Sequence, residues 1–257
     1  MSESYITPDW PAPPGVRAAF TLRRGGVSRP PFDSLNVGAH VGDEPQAIAE
    51  NHRRIVSILE LPAEPAWLQQ VHGAAVADFD CTARAAPADA AVTRVVGRVL
   101  VVQVADCLPV LFAARSGLAV AAAHCGWRGL AAGVLEATVH ALRVDPGEID
   151  AWLGPAIGAK AFEVGDEVRA ALLAHDERAA SAFAANSRGR WQCNLYAIAR
   201  QRLAALGLHA VFGSGACTYS DAERFFSFRR DGRCGRMAAL IWLSGVGRRP
   251  GESAAPC

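Results

Sequence analysis

The feature that most constrains this chain is the apolar stretch from Val99 to Ala114. Its first part, Val99 to Val104, is a β-branched run of the kind that fills a buried strand. Gln103, Asp106 and Pro109 interrupt the stretch. It also falls short of the roughly 20 apolar residues a bilayer span needs, so no membrane segment is predicted. Gly117 to His124 is a second apolar run of similar length. Each run gives way to a turn beside a chemically active residue, Cys107 after the first and His124 at the end of the second.

Strand and helix signals alternate along the rest of the chain. Ala18–Arg23, Trp67–Asp78, Ile149–Gly154, His209–Cys217 and Met237–Leu243 read as strands, with His72 in the second of them. Helices are predicted from Glu44 or Pro45 to Leu59, from Gly165 to His175, and from Asn194 to Leu206 with Gly207 as the C-cap. After His124 the period changes. Leu130, Val134, Ala137 and Ala141 recur at helical spacing, which predicts one helix reaching Arg143. The order is not strictly strand–helix–strand, favouring a mixed sheet in an α+β or α/β arrangement over a doubly wound one. Gly25 to Gly42 reads as a long irregular connection, the kind of segment that often carries function.

At 257 residues the chain can bury a substantial core. One domain over residues 1–245 is expected, with a disordered tail over 246–257. Apolar residues make up 51% and charged residues 20%, and the net charge is +1. With arginines scattered among acids there is no basic stripe to neutralise the phosphates of a duplex, so nucleic acid is not expected as a ligand. The amino terminus has neither a positive leader nor an apolar core segment, which predicts a cytoplasmic protein. Seven cysteines without a CxxC pair argue for free thiols or a metal ligand over disulfides.

The candidate chemistry gathers in Ala105–Pro109 and Ala123–Gly129, where apolar strands meet turns. If the two strands are neighbours, Cys107 and His124 approach each other, and His72 can complete a three-ligand set. Two imidazoles and a thiolate suit zinc, with a fourth position open for water or substrate. Separations of 35 and 17 residues match no compact metal motif, so a buried cysteine with two hydrogen-bonded core histidines fits the same residues. Gly126–Gly129 lies at an expected helix start, where backbone N–H groups favour an anion and Arg128 can grip phosphate. Alternatively, the glycines only permit a tight turn and Arg128 is a solvated surface group. Asp106 adjoins Cys107 but shares its site only if the chain bends there; a structural hydrogen-bonding role is the default.

Taken together, the motifs resemble the bacterial laccase-domain or polyphenol oxidase family of the YfiH type. The blocks run in order from Thr21–Ser28, Ser34–Asp43, Glu50–Arg54 and Gln69–Gly73 to Ala105–Val110 and His124–Gly129. Leu153–Gly158, Cys217–Tyr219, Phe225–Gly232 and Gly235–Met237 complete them. The resemblance implies a layered α/β sandwich around mixed β-structure, with His72, Cys107 and His124 as metal-binding catalytic residues. It also implies phosphorolysis of adenosine, guanosine or inosine, cleavage of methylthioadenosine, and deamination of adenosine. Zinc is the implied metal, and copper is also associated with such proteins. Asn36, His40 and Arg128 match positions expected to line the pocket, and the implied ligands are a nucleoside and phosphate, in a monomer or small homo-oligomer. Asn194, Phe228 and Cys234 depart from the Asp, Tyr and Thr common in the family, which bears on substrate preference and leaves the ligands intact.

Three other chemistries draw on the same residues or the same resemblance. A multicopper oxidase needs about ten histidines plus a cysteine, against seven histidines here with no His-x-His or His-Cys-His pair. A metal-free hydrolase would use Cys107 as nucleophile and His72 or His124 as base. Relatives described as peptidoglycan-editing factors point instead to a cell-wall precursor as substrate.

Overall fold

The apolar run that opens at Val99 does not continue as one strand, because the backbone turns at Asp106 with φ +87°. A computed structural model of the chain describes residues 4–81, 87–213 and 215–245. The tail expected to be disordered, 246–257, lies outside them. In chain order the strands are β1 (Tyr5–Ile6), β2 (Val16–Thr21), β3 (Val76–Asp78), β4 (Ala90–Thr93), β5 (Val99–Val104), β6 (Leu108–Ala114) and β7 (Val120–Cys125). They continue as β8 (Ile149–Leu153), β9 (Glu163–Val164), β10 (Phe183–Ala185), β11 (Trp191–Cys193), β12 (Ala210–Phe212) and β13 (Met237–Leu243). The α-helices are α1 (Pro45–Ile58), α2 (Trp127–Ala132), α3 (Val134–Leu142), α4 (Asp166–His175), α5 (Leu195–Ala205) and α6 (Phe228–Asp231).

Three sheets form among the described residues. One has the order β1-β2-β13-β5, a second β12-β8-β6-β7-β4-β3, and a small one β10-β11-β9. The six-stranded sheet is mixed: its edge pairs β12·β8 and β3·β4 are parallel and its centre is antiparallel. The two larger sheets stack because their strands are apolar on both faces with a period of two. On β6, Leu111 and Ala113 face the space between the sheets, while Val110 and Phe112 face the helices. On β13, Met237, Ala239 and Ile241 face inward, and Ala238, Leu240 and Trp242 pack with Ile55 of α1. The layers therefore run α1, four-stranded sheet, six-stranded sheet, then α3 and α5. This is the layered mixed α/β architecture expected.

Several boundaries differ from expectation. Trp67–Asp78 is mostly loop: only Ala66 bridges to Leu100, and strand pairing begins at Val76. His209–Cys217 contributes a strand only over Ala210–Phe212. The helix expected through Leu130 and Ala141 is broken at Gly133, whose φ of +91° ends α2 before α3 begins. The spacing was right for both pieces but carries no sign of the left-handed residue between them. Cys107, Cys125, Cys193, Cys217 and Cys234 are free thiols, whereas Cys81 is exposed and disulfide-bonded, against the expectation for it. No helix among the described residues is long and apolar enough to cross a membrane.

Candidate metal centre and its pocket

The turn at Asp106 carries the chain from β5 in one sheet to β6 in the other, leaving Cys107 at the seam. Asp106 is held from three directions: its carbonyl accepts from Ile157 N (2.9 Å), Oδ1 from Thr218 Oγ1 (2.6 Å) and Oδ2 from Arg229 N (2.7 Å). The bend needed for it to serve the site is present, and the carboxylate spends itself on positioning the chain. His124, on β7 opposite Pro109 of β6, has the parity of Val120 and Ala122, so it too faces the space between the sheets. Cys125 points the other way, into the helix-side core.

His72 comes from the loop before β3 and has φ +61°, an uncommon conformation for a non-glycine residue. Asp89, fully buried just before β4, explains how it is held. Its Oδ2 accepts from Val71 N (3.1 Å) and Gly73 N (2.6 Å), and its Oδ1 from His72 N (2.9 Å). The same Oδ1 lies 2.9 Å from His124 Nδ1. One carboxylate thus fixes two candidate ligands, and with Nδ1 engaged it leaves His124 Nε2 to face Cys107, the arrangement metal-binding histidines use to set tautomer and ring angle. Sequence reasoning missed Asp89. Its only signal was an acid alone among alanines at the start of an apolar run.

The donor atoms of His72, Cys107 and His124 all lie within 4.8 Å of one another. The two rings are 4.8 Å apart, edge to face. Donors on a tetrahedral zinc stand about 3.3–3.6 Å apart, so the set closes on an ion by contracting about 1.5 Å at most. The donor chemistry, two imidazoles and a thiolate with one orienting carboxylate, fits such an ion. Burial raises the Cys107 thiol, but the His124 charge and hydrogen bonds from His124 and His72 outweigh it and bring the thiol down to about 6. Burial opposes charging of His124, yet the Cys107 thiolate and Asp89 push it up to about 9. Gly126 makes room: a Cβ there would stand 2.9 Å from Cys107 Sγ and 3.4 Å from His72 Cδ2.

Beside Cys107 opens a pocket of about 130 Å³ whose wall includes Asp106, Gly126, Trp127, Phe162, Phe228 and Arg229. A larger groove of about 630 Å³ near Tyr5, Trp10 and Trp242 contains none of the three candidate ligands, so chemistry selects the smaller one. Of the residues expected to line the pocket, Arg128 is exposed and its guanidinium lies 4.3 Å from the Trp127 ring centre. His40 is exposed; burial is the largest cause lowering its pKa, with Arg236, His124 and His72 adding charge from nearby. Asn36 is fully buried. Its Oδ1 accepts from Gly38 N (2.9 Å) and Arg236 N (2.8 Å), and its Nδ2 donates to Asp43 Oδ2 (2.9 Å), so it braces the loop bearing His40. Asn51 of α1 ties down the same loop through Val27 N, Ser28 Oγ and Asn36 O. Phe228, one of the departures from the family pattern, is 59% exposed at the pocket.

A family model described as multi-copper polyphenol oxidoreductase laccase matches residues 17–244. A purine nucleoside phosphorylase of Pseudomonas aeruginosa is 54% identical over 241 residues, covering 93% of this chain and 98% of that protein. The purine nucleoside phosphorylase YfiH of Escherichia coli is 52% identical over 239 residues, covering 93% and 98%. Among solved structures, Neisseria meningitidis protein NMB0706 superposes with a TM-score of 0.91 at 46% identity, covering 95% of this chain and all of that one. YlmD from Geobacillus stearothermophilus gives 0.84 at 31% identity, covering 95% and 97%. The chain therefore belongs to the laccase-like polyphenol oxidoreductase family that includes YfiH.

Proposed function

We propose that this protein is a zinc-dependent purine nucleoside phosphorylase acting on adenosine, guanosine, inosine or methylthioadenosine, and that it also deaminates adenosine. The observation that carries this reading is the convergence of His72, Cys107 and His124 beside an aromatic-walled pocket. The names of relatives at 54% and 52% identity support it. When bound, zinc would supply a Lewis acid able to polarise water or an electrophilic substrate atom. The chain's own residues account for the rest. Trp127, Phe162 and Phe228 offer ring faces to a planar base. Asp89 keeps the His124 ring oriented throughout. Phosphorolysis needs phosphate placed behind the anomeric carbon, and Arg128, exposed and stacked on the Trp127 ring, is proposed to hold it. His40 is assigned to the substrate side of the rim, and Asn36 supports it through the loop they share.

A copper oxidase, which the family's description suggests, finds less support: a multicopper centre needs more ligands than the single His-Cys-His group present among the described residues. The deciding experiment incubates zinc-loaded protein with adenosine, with and without phosphate, and resolves the products by chromatography beside a Cys107→Ala control. Adenine with ribose 1-phosphate only when phosphate is present, and inosine without it, both lost in the variant, is the expected result. No product from zinc-loaded protein overturns the reading, and assay against muramyl precursors then tests cell-wall editing.

A further inference from the structure

His72 is exposed, as is Val71 before it, so packing does not hold this candidate ligand in place. Hydrogen bonds to two different sheets hold it instead. On the six-stranded side, Asp89 takes the amides of residues 71–73, and the Gln69 carbonyl accepts from Ala88 N (3.1 Å). On the other side the chain follows β5, the last strand of the four-stranded sheet, whose outer edge has no strand beside it among the described residues. Ala66 bridges to Leu100 on that edge, and its N donates to Val99 O (2.8 Å). Further along, the Gln70 side chain reaches Gln103: its Oε1 accepts from Gln103 N (2.7 Å) and its Nε2 donates to Gln103 O (2.9 Å). A side-chain amide offers the same donor and acceptor as a peptide group, so Gln70 pairs with β5 as a neighbouring strand would. The next backbone N–H, that of Val71, already belongs to Asp89. Gln70 stands two residues before His72, and Gln103 four residues before Cys107. One pair of hydrogen bonds therefore ties together the two segments that deliver these candidate ligands.

We propose that Gln70 is a positioning residue of the metal centre: its two bonds to Gln103 set where His72 stands relative to Cys107, as Asp89 sets it relative to His124. The proposal rests on the zinc reading for the ion that the three residues would share. Without the amide pair, the 71–73 turn keeps its hold on Asp89 but can swing about it, away from Cys107. A ligand donor displaced in this way binds less often in the right geometry, although nothing in contact with the ion has been removed.

The test is a double-mutant cycle read by metal affinity. Zinc binding is measured by chelator competition on the full-length wild type, Gln70→Met, His72→Ala and the double variant, with Tm as the check of folding. Methionine keeps the length of glutamine and removes both hydrogen bonds. Gln70→Met is expected to weaken zinc binding about tenfold or more, the scale for a residue that orients a ligand, and to cost nothing further once His72 is gone. In cobalt-substituted protein, the thiolate-to-cobalt charge-transfer band should survive Gln70→Met because Cys107 still binds, while the d–d bands change as they do in His72→Ala. Unchanged affinity in Gln70→Met, or an equal loss with and without His72, overturns the proposal. Should Gln70→Met fail to fold, Gln70→Asn, one methylene shorter, takes its place in the cycle. If the wild type takes up no metal, the zinc reading falls, and hydrogen exchange of the 71–73 amides in the stripped protein decides the role of Gln70. Faster exchange in Gln70→Met sustains the anchoring, and unchanged exchange overturns it.

Discussion

Asp89, fully buried, accepts from three backbone N–H groups and the His124 ring, so its charge is essential where it sits. Asp89→Asn keeps the shape but turns an amide NH2 toward donors. It is expected to weaken metal binding about 10–100-fold, read by chelator competition. Binding should also depend on pH in a defined direction. The metal must displace a proton from His124 below pH about 9, and one from Cys107 as well below about 6. Affinity should therefore fall about tenfold per unit from pH 9 to 6 and more steeply below, in competition titrations across that range. Gly126→Ala puts a methyl 2.9 Å from Cys107 Sγ, and a loss of metal stoichiometry with the fold intact is the expected outcome. That His72, Cys107 and His124 would meet was legible in the sequence, because ordered motifs surround them. Asp89 was not, since it gains its meaning only when the loop 71–73 folds back over it.

At the scale of elements, β5 and β13 were legible to the residue because a buried strand advertises itself by an unbroken apolar run. The turn that follows β5 at Ala105–Pro109 was legible too, but the change of sheet was hidden: neither Asp106 nor Pro109 shows that the two halves belong to different sheets. The break at Gly133 was hidden in the same way, by helical spacing that continues across it. What holds the helices around that break is Arg202 of α5, 3% exposed, whose guanidinium pairs with Glu136 of α3 (2.7 and 2.6 Å) and donates to the carbonyl of Leu130 in α2. His175 of α4 completes the cluster at 2.5 Å from Arg202 Nη2. Arg202→Ala removes the hub of three helices and leaves Glu136 with His175 alone, at 3.6 Å. A loss of about 3 kcal/mol is expected in denaturant unfolding, with Glu136→Gln costing less because that carboxylate is partly solvated.

For the molecule as a whole, the position of the three candidate ligands across its layers matters more than any one of them. Cys107 belongs to the turn from the four-stranded to the six-stranded sheet. His124 stands on a central strand of the latter. His72 lies in the loop that leaves the Ala66–Leu100 bridge of the first sheet and enters β3 of the second. An ion bound by all three would join the ends of both sheets where the apolar interface around Leu111, Ala122 and Met237 gives out. Its binding free energy then adds to the stability of the folded state, because the unfolded chain has no such convergence. With free zinc at 100 times its Kd the gain is about 2.7 kcal/mol, a rise in Tm of roughly 5–10 °C for a chain of this size. Calorimetric scans of stripped and zinc-loaded protein should show that rise, and Cys107→Ala should show none of it. An equal rise in the variant would place the stabilising ion elsewhere and separate the metal from the seam between the sheets.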